Sequence, residues 1–170
     1  MVMIIIILVL LAGLILTMSS LLLTYNTLFN LEEGIQKEIE EIKNILCAKL
    51  ELVDEFNKYI KLDFDLIEKA YELKEKVETT YDVENLVRYN LIVEVLFKEI
   101  EGLIDMENRH DDIDIKKLLL VRNSLKMKLK EKILNLNEYI SEYNELLDTF
   151  MGRLIKSLSD FQEKDFYEDI

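Results

Sequence analysis

The chain opens with 22 residues, Val2 to Leu23, that are almost wholly apolar, and no Asp, Glu, Lys or Arg occurs before Glu32. As a helix, such a run spans roughly 33 Å, the thickness of a bilayer's hydrocarbon core. Beyond Asn26 the pattern becomes periodic. Leu28, Leu31, Ile35, Ile39, Ile42, Leu46, Val53, Phe56, Ile60 and Ile67 recur with acids and lysines between them. A repeat of about 3.5 residues predicts amphipathic helices packed at shallow angles.

Few residues punctuate this pattern. Asp54 and the stretch Lys61 to Asp65 are candidate breaks, and Thr79, Thr80 and Asp82 can cap a helix starting near Val83. Asn108 to Asp114 is the clearest boundary. Between these boundaries, Leu86, Asn90, Val93, Phe97, Ile100 and Ile104 share one face. From about Asp112, Leu118, Val121, Leu125, Leu129, Leu136, Ile140, Tyr143, Leu147 and Phe150 share another, continuing to Leu154, Leu158 and Phe161. A break near Lys49 to Asp54 would give four helices of about 25 residues, each roughly 37 Å long, with aligned ends. The expected architecture is all-α: an N-terminal transmembrane helix followed by an antiparallel up-and-down four-helix bundle. The expected divisions are an anchor over 1–24, a bundle over 25–160 and an acidic, aromatic C-terminal tail over 161–170.

Composition supports helix, with no Pro and only four Gly in 170 residues. The whole net charge of −13 lies after the apolar run. Acidity and the absence of a basic stripe with interleaved aromatics argue against nucleic acid as a partner. The single cysteine, Cys47, lies on an apolar stripe and reads as a small buried hydrophobe. A cleaved signal peptide would show a basic start and a shorter apolar run, so residues 2–23 read as a bilayer anchor in a single-pass protein of the cell membrane. Lys37 and Lys43 follow the span and no Lys or Arg precedes it, which places the bundle in the cytoplasm.

The dipeptide Tyr-Asn occurs three times, at Tyr25-Asn26, Tyr89-Asn90 and Tyr143-Asn144. Tyr25 falls at the end of the span, where an amphipathic ring suits the interface. In the four-helix arrangement Tyr143 and Asn144 return to the same level, so Tyr25, Asn26, Tyr143 and Asn144 are expected at the membrane-proximal base. Tyr89-Asn90 has no such explanation and reads as coincidence.

The anchor leading into "YNTLFNLEEGIQKEIEEI" resembles the opening of LemA family proteins. The closing pattern is similar too, through Tyr143-Asn144, Phe150, Leu154, Ile155, Phe161 and Phe166. This chain departs from the family by having Leu136 for an earlier tyrosine, Ala48-Lys49 for paired arginines, and Asp54, Glu107 and Met151 where prolines are usual. The resemblance implies a membrane-anchored helical bundle without an established catalytic site, with some members linked to membrane organisation and others to membrane proteolysis or envelope stress.

Catalytic residue types are scarce. Glu107-x-x-His110 has the spacing of half a di-iron site, but the chain has one histidine, so a second such pair is impossible. Asp111, Asp112 and Asp114 lack calcium-loop spacing. No nucleophile elbow or phosphate loop occurs. The expectation is a non-enzymatic scaffold or protein-interaction module with no cofactor, held to the lipid bilayer through residues 2–23 and acting on an unidentified protein partner. The alternative is a regulatory adaptor of a membrane protease or transporter. A metal-dependent enzyme at the acidic turn ranks lowest. Homo-oligomerisation stays open, since Ala12 and Gly13 alone do not make a dimer motif.

Overall fold

A computed structural model describes residues 2–62, 64–79 and 82–168, and among them every regular element is a helix. These are α1 (Val2–Asn57), α2 (Phe64–Thr79), α3 (Val83–Met106), α4 (Ile113–Asp148) and α5 (Phe150–Leu158). Thr80, one of the expected caps, and Asp63 lie outside the described residues, as do positions 169 and 170 of the expected tail.

The ends of the helices follow from local chemistry. After α1, Leu62 N–H donates to the Asn57 side chain at 3.1 Å. Asp82 caps α3 by accepting from Glu84 N–H at 3.0 Å. Asn108 takes a left-handed φ of 52° after α3, and Arg109 N–H returns to Ile104 O at 3.0 Å. This closes the helix in the manner expected of an αL cap. Asp112 then accepts from Asp114 N–H at 3.0 Å and starts α4, and Thr149 caps α5 by accepting from Gly152 N–H at 3.0 Å.

The chain divides into two compact units. Unit 1 holds residues 1–35 and 138–165. The apolar run of α1 is long and apolar enough to cross a membrane, and none of it is buried within the chain. Below the run, Leu28, Leu31 and Ile35 of α1, Ile140, Tyr143 and Leu147 of α4, and Ile155 of α5 are buried. The Tyr139 ring lies where a side chain on Gly34 would be, with Cε1 only 2.9 Å from an added Cβ.

Unit 2 holds residues 36–137 and 166–170. Its core draws on Ile42, Leu46 and Val53 of α1, Ala70 and Val77 of α2, Leu86, Val93 and Ile100 of α3, and Ile115, Leu129 and Leu136 of α4. Phe56 and Phe97 meet edge to face with centroids 6.3 Å apart. Arg109 donates to Tyr59 O at 2.6 Å, tying the turn after α3 to the turn after α1.

Two expectations are corrected. The break near Lys49 to Asp54 does not occur, because α1 continues to Asn57. Leu46, Leu50, Val53 and Phe56 hold the helical spacing across it, and Lys49 is satisfied inside the core. The expected face of α4 is also rotated at both ends. Val121, Phe150, Leu154 and Leu158 are exposed, whereas Ile115 and Arg122 point inward. Thr149 interrupts the helix before the stripe can continue, so Ile155 rather than Leu154 or Leu158 is buried on α5.

Candidate functional site

The most unusual local chemistry of unit 2 is a polar centre at the meeting of α1, α3 and α4. Lys49 sits fully buried on α1, its Nζ donating to Asn90 Oδ1 at 2.9 Å and to Glu94 Oε1 at 2.5 Å. Asn90 and Glu94 are four residues apart on α3 and therefore share a face. From α4, Arg122 is also buried; it places Nη2 3.9 Å from Glu94 Oε2 and pairs through Nη1 with Glu101. Its guanidinium lies over the Phe97 ring, 4.8 Å from the centroid, a cation–π geometry.

Burial pushes the Lys49 ammonium below the usual lysine range, against the opposing pull of Glu94. For Glu94, burial alone would raise the carboxyl, but Lys49 and then Arg122 outweigh it and hold the carboxyl below its usual range. The centre is a paired charge cluster, which is how charged groups survive inside a core.

The second Tyr-Asn pair therefore has a role, contrary to its reading as coincidence. Tyr89 is fully buried with its hydroxyl 3.4 Å from Leu46 O, and burial drives the phenol strongly upward. Asn90 receives Lys49. No signal short of pairing Lys49 with Asn90 across 41 residues would have revealed this. Cys47, on the same stretch of α1, is half-buried rather than buried, and desolvation raises its thiol.

The other pairs belong to unit 1. The Tyr25 ring tilts against Phe161 at 5.5 Å between centroids, and the buried Tyr143 ring meets Phe161 edge to face at 6.3 Å. Burial pushes the Tyr143 phenol up to about 12. Asn26 is exposed. Asn144 binds the backbone of Lys164 with both amide atoms, and the Lys164 ammonium reaches Glu32 at 2.7 Å. In unit 2, Asn137 binds Tyr167 in the same way.

Beside the polar centre a cleft of about 350 Å³ opens between α3 and α4. Val87, Leu91, Leu129 and Ile133 supply apolar walls, and Lys98, Lys126 and Lys130 supply cations. Asn90 and Glu94 also line it. Farther round α4, Ile113, Leu120, Met127 and Leu134 recur every seven residues and are 69%, 69%, 69% and 61% exposed. Lysines 116 and 130 flank this stripe on one side and lysines 117 and 128 on the other, by helical geometry.

At the acidic turn, His110 Nε2 lies 2.7 Å from Asp105 Oδ1, and Glu107 faces Arg109 at 3.5 Å. Among the described residues no group of three or more His, Cys, Asp or Glu is arranged to hold a metal ion. No family model, curated protein or solved structure matches the chain.

Proposed function

We propose that the chain is a non-enzymatic, single-pass membrane protein of LemA type, whose cytoplasmic up-and-down helical bundle is a scaffold that docks another protein. The carrying observation is the outward stripe Ile113, Leu120, Met127 and Leu134 on α4. Four large apolar side chains at heptad spacing on solvent fit a helix laid against them. Of the lysines flanking the stripe, Lys116 and Lys117 meet Asp111 and Asp114 at 2.9 and 3.2 Å, whereas Lys128 and Lys130 carry their charge on the face of a chain of net charge −13. The fitting partner is thus an amphipathic helix with acidic flanks; a second copy offering its own α4 would bring lysines against lysines.

The unburied apolar run supports the anchor, with Tyr25 at the interface and Tyr143 and Asn144 near the same base. Antiparallel up-and-down packing is supported by the Arg109 bond to Tyr59, which brings together the turns that follow α3 and α1.

The test replaces Leu120 or Met127 with a photo-crosslinking amino acid in the full chain in cells. A discrete crosslinked product is expected, lost when Lys116, Lys117 and Lys128 are all changed to Glu. A product unaffected by the charge reversal, or none beyond that from an exposed control position such as Glu75, would overturn the docking role.

A further inference from the structure

We propose that the cleft between α3 and α4 is a binding site for an amphipathic anion, a small molecule with one acidic head and an aliphatic body. The site lies within unit 2, and the inference does not depend on the docking role of the outer face of α4. Its first support is charge. Lys98, Lys126 and Lys130 line one cleft in a chain of net charge −13, and among the described residues none of the three has a carboxylate within ion-pair distance. Three mutually repelling ammonium groups gathered in a concave surface raise the local concentration of anions.

The second support is an amide in the lining of the cleft. Asn90 lines it and is only 8% exposed. Its Oδ1 is taken by Lys49 at 2.9 Å, which fixes the amide orientation and leaves the Nδ2 hydrogens as donors without a hydrogen-bonding partner in the described chain. Glu94 is the one acid in the lining, and its charge is already engaged by Lys49 and faces Arg122. An incoming anion therefore meets a balanced floor under a cationic rim.

The remaining lining determines the class of ligand. Val87, Leu91, Leu129 and Ile133 offer hydrocarbon and no polar group to a bare inorganic anion. A ligand that buries an aliphatic body against them removes apolar surface from water while its head reaches the lysines. A pocket of roughly 300 Å³ or more suits a small ligand of this kind. The head is a carboxylate, as in a free fatty acid, or a phosphate, as in a lipid.

The experiment is calorimetric titration of the full chain in phosphatidylcholine nanodiscs, with the signal of empty discs subtracted. Octanoate and octyl phosphate are the probes, and octanol and inorganic phosphate are the controls lacking head charge and tail. Saturable binding of one probe molecule per chain is expected, with both controls at least about tenfold weaker. Combined Lys98→Gln, Lys126→Gln and Lys130→Gln substitutions should weaken the probes by at least about tenfold without moving the unfolding midpoint. Leu91→Gln, at an exposed wall position, should weaken them independently. A preference for octanoate identifies a fatty-acid source and a preference for octyl phosphate a lipid one. Binding no greater than to empty discs, octanol as tight as octanoate, or unchanged affinity in both variants would overturn the site.

Discussion

Asn144 holds the backbone of Lys164 by both ends of its amide: Nδ2 donates to Lys164 O at 2.9 Å, and Oδ1 accepts from Lys164 N–H at 3.0 Å. The side chain thus does for one residue what a neighbouring strand would do. Asn137 repeats the pairing with Tyr167 at 2.9 and 2.8 Å. An asparagine inside a helix, poor by propensity, is accounted for by the two backbone groups it satisfies elsewhere.

Removing that amide should free the segment it holds. Asn144→Ala deletes two hydrogen bonds whose net contributions are about 0.5 to 1.5 kcal/mol each, so a local loss of roughly 1 to 3 kcal/mol is expected. Hydrogen exchange is the measurement: the Lys164 amide should exchange about tenfold faster or more, while core amides of α3 keep their rates. Asn144→Asp retains the acceptor and should lie between the two. Unchanged exchange at Lys164 would show that the Lys164–Glu32 pair and the Phe161 contacts suffice.

The polar centre makes an asymmetric prediction. Glu94→Ala leaves Lys49 fully buried without its counter-charge and should cost about 3 to 5 kcal/mol. Lys49→Met removes the buried charge and fills a similar volume, leaving Glu94 part-exposed and near Arg122, so it should cost less. Urea unfolding of the two variants decides the order. If Lys49→Met were the more damaging, the lysine's bond to Asn90 would outweigh the burial of its charge.

The same pair fixes a direction with pH. The folded Glu94 carboxyl lies below its ordinary value of 4.5, so its contribution is fully present above that pH and is lost as pH falls through the folded value. The unfolded chain takes up the proton first. Glu94→Gln should therefore lose part of the acid-side slope, and the stability gap between it and the native chain should narrow below about pH 4.5. Urea midpoints at neutral pH and near pH 3 measure this. A gap that stays constant would remove Glu94 from the acid response.

What could be read from the sequence depended on whether an apolar spacing was kept by apolar residues. The stripe from Leu28 to Ile67 was legible and every one of its ten members is buried, as is the face from Leu86 to Ile104. On α4 the core heptad passes through Ile115, Arg122, Leu129, Leu136 and Tyr143. A charged residue at one of its places diverted the reading to Leu118, Val121 and Leu125. Matching lengths favour a break in α1 near Lys49 to Asp54, but Lys49 and Asp54 are both partnered and the helix runs on to Asn57. In the fold one is buried against Asn90 and Glu94, and the other accepts the Tyr71 hydroxyl. The tail's anchoring and the cleft were not legible, since both rest on partners far apart in sequence.

Two glycines separate packing from propensity. At Gly102, inside α3, an added Cβ meets nothing within 4 Å, so Gly102→Ala should stabilise by about 0.5 to 1 kcal/mol through helix propensity alone. At Gly152 the added Cβ would fall 2.1 Å from Leu146 O and 2.7 Å from Leu147 Cα, both backbone atoms that cannot swing aside. Gly152→Ala gains the same propensity yet must displace α5 from α4, together with its Thr149 cap and buried Ile155. The net effect should be a loss of at least about 1 to 3 kcal/mol, seen as a lower unfolding midpoint or as fast exchange confined to α5. If Gly152→Ala behaved like Gly102→Ala, α5 would not be held against the end of α4 in solution.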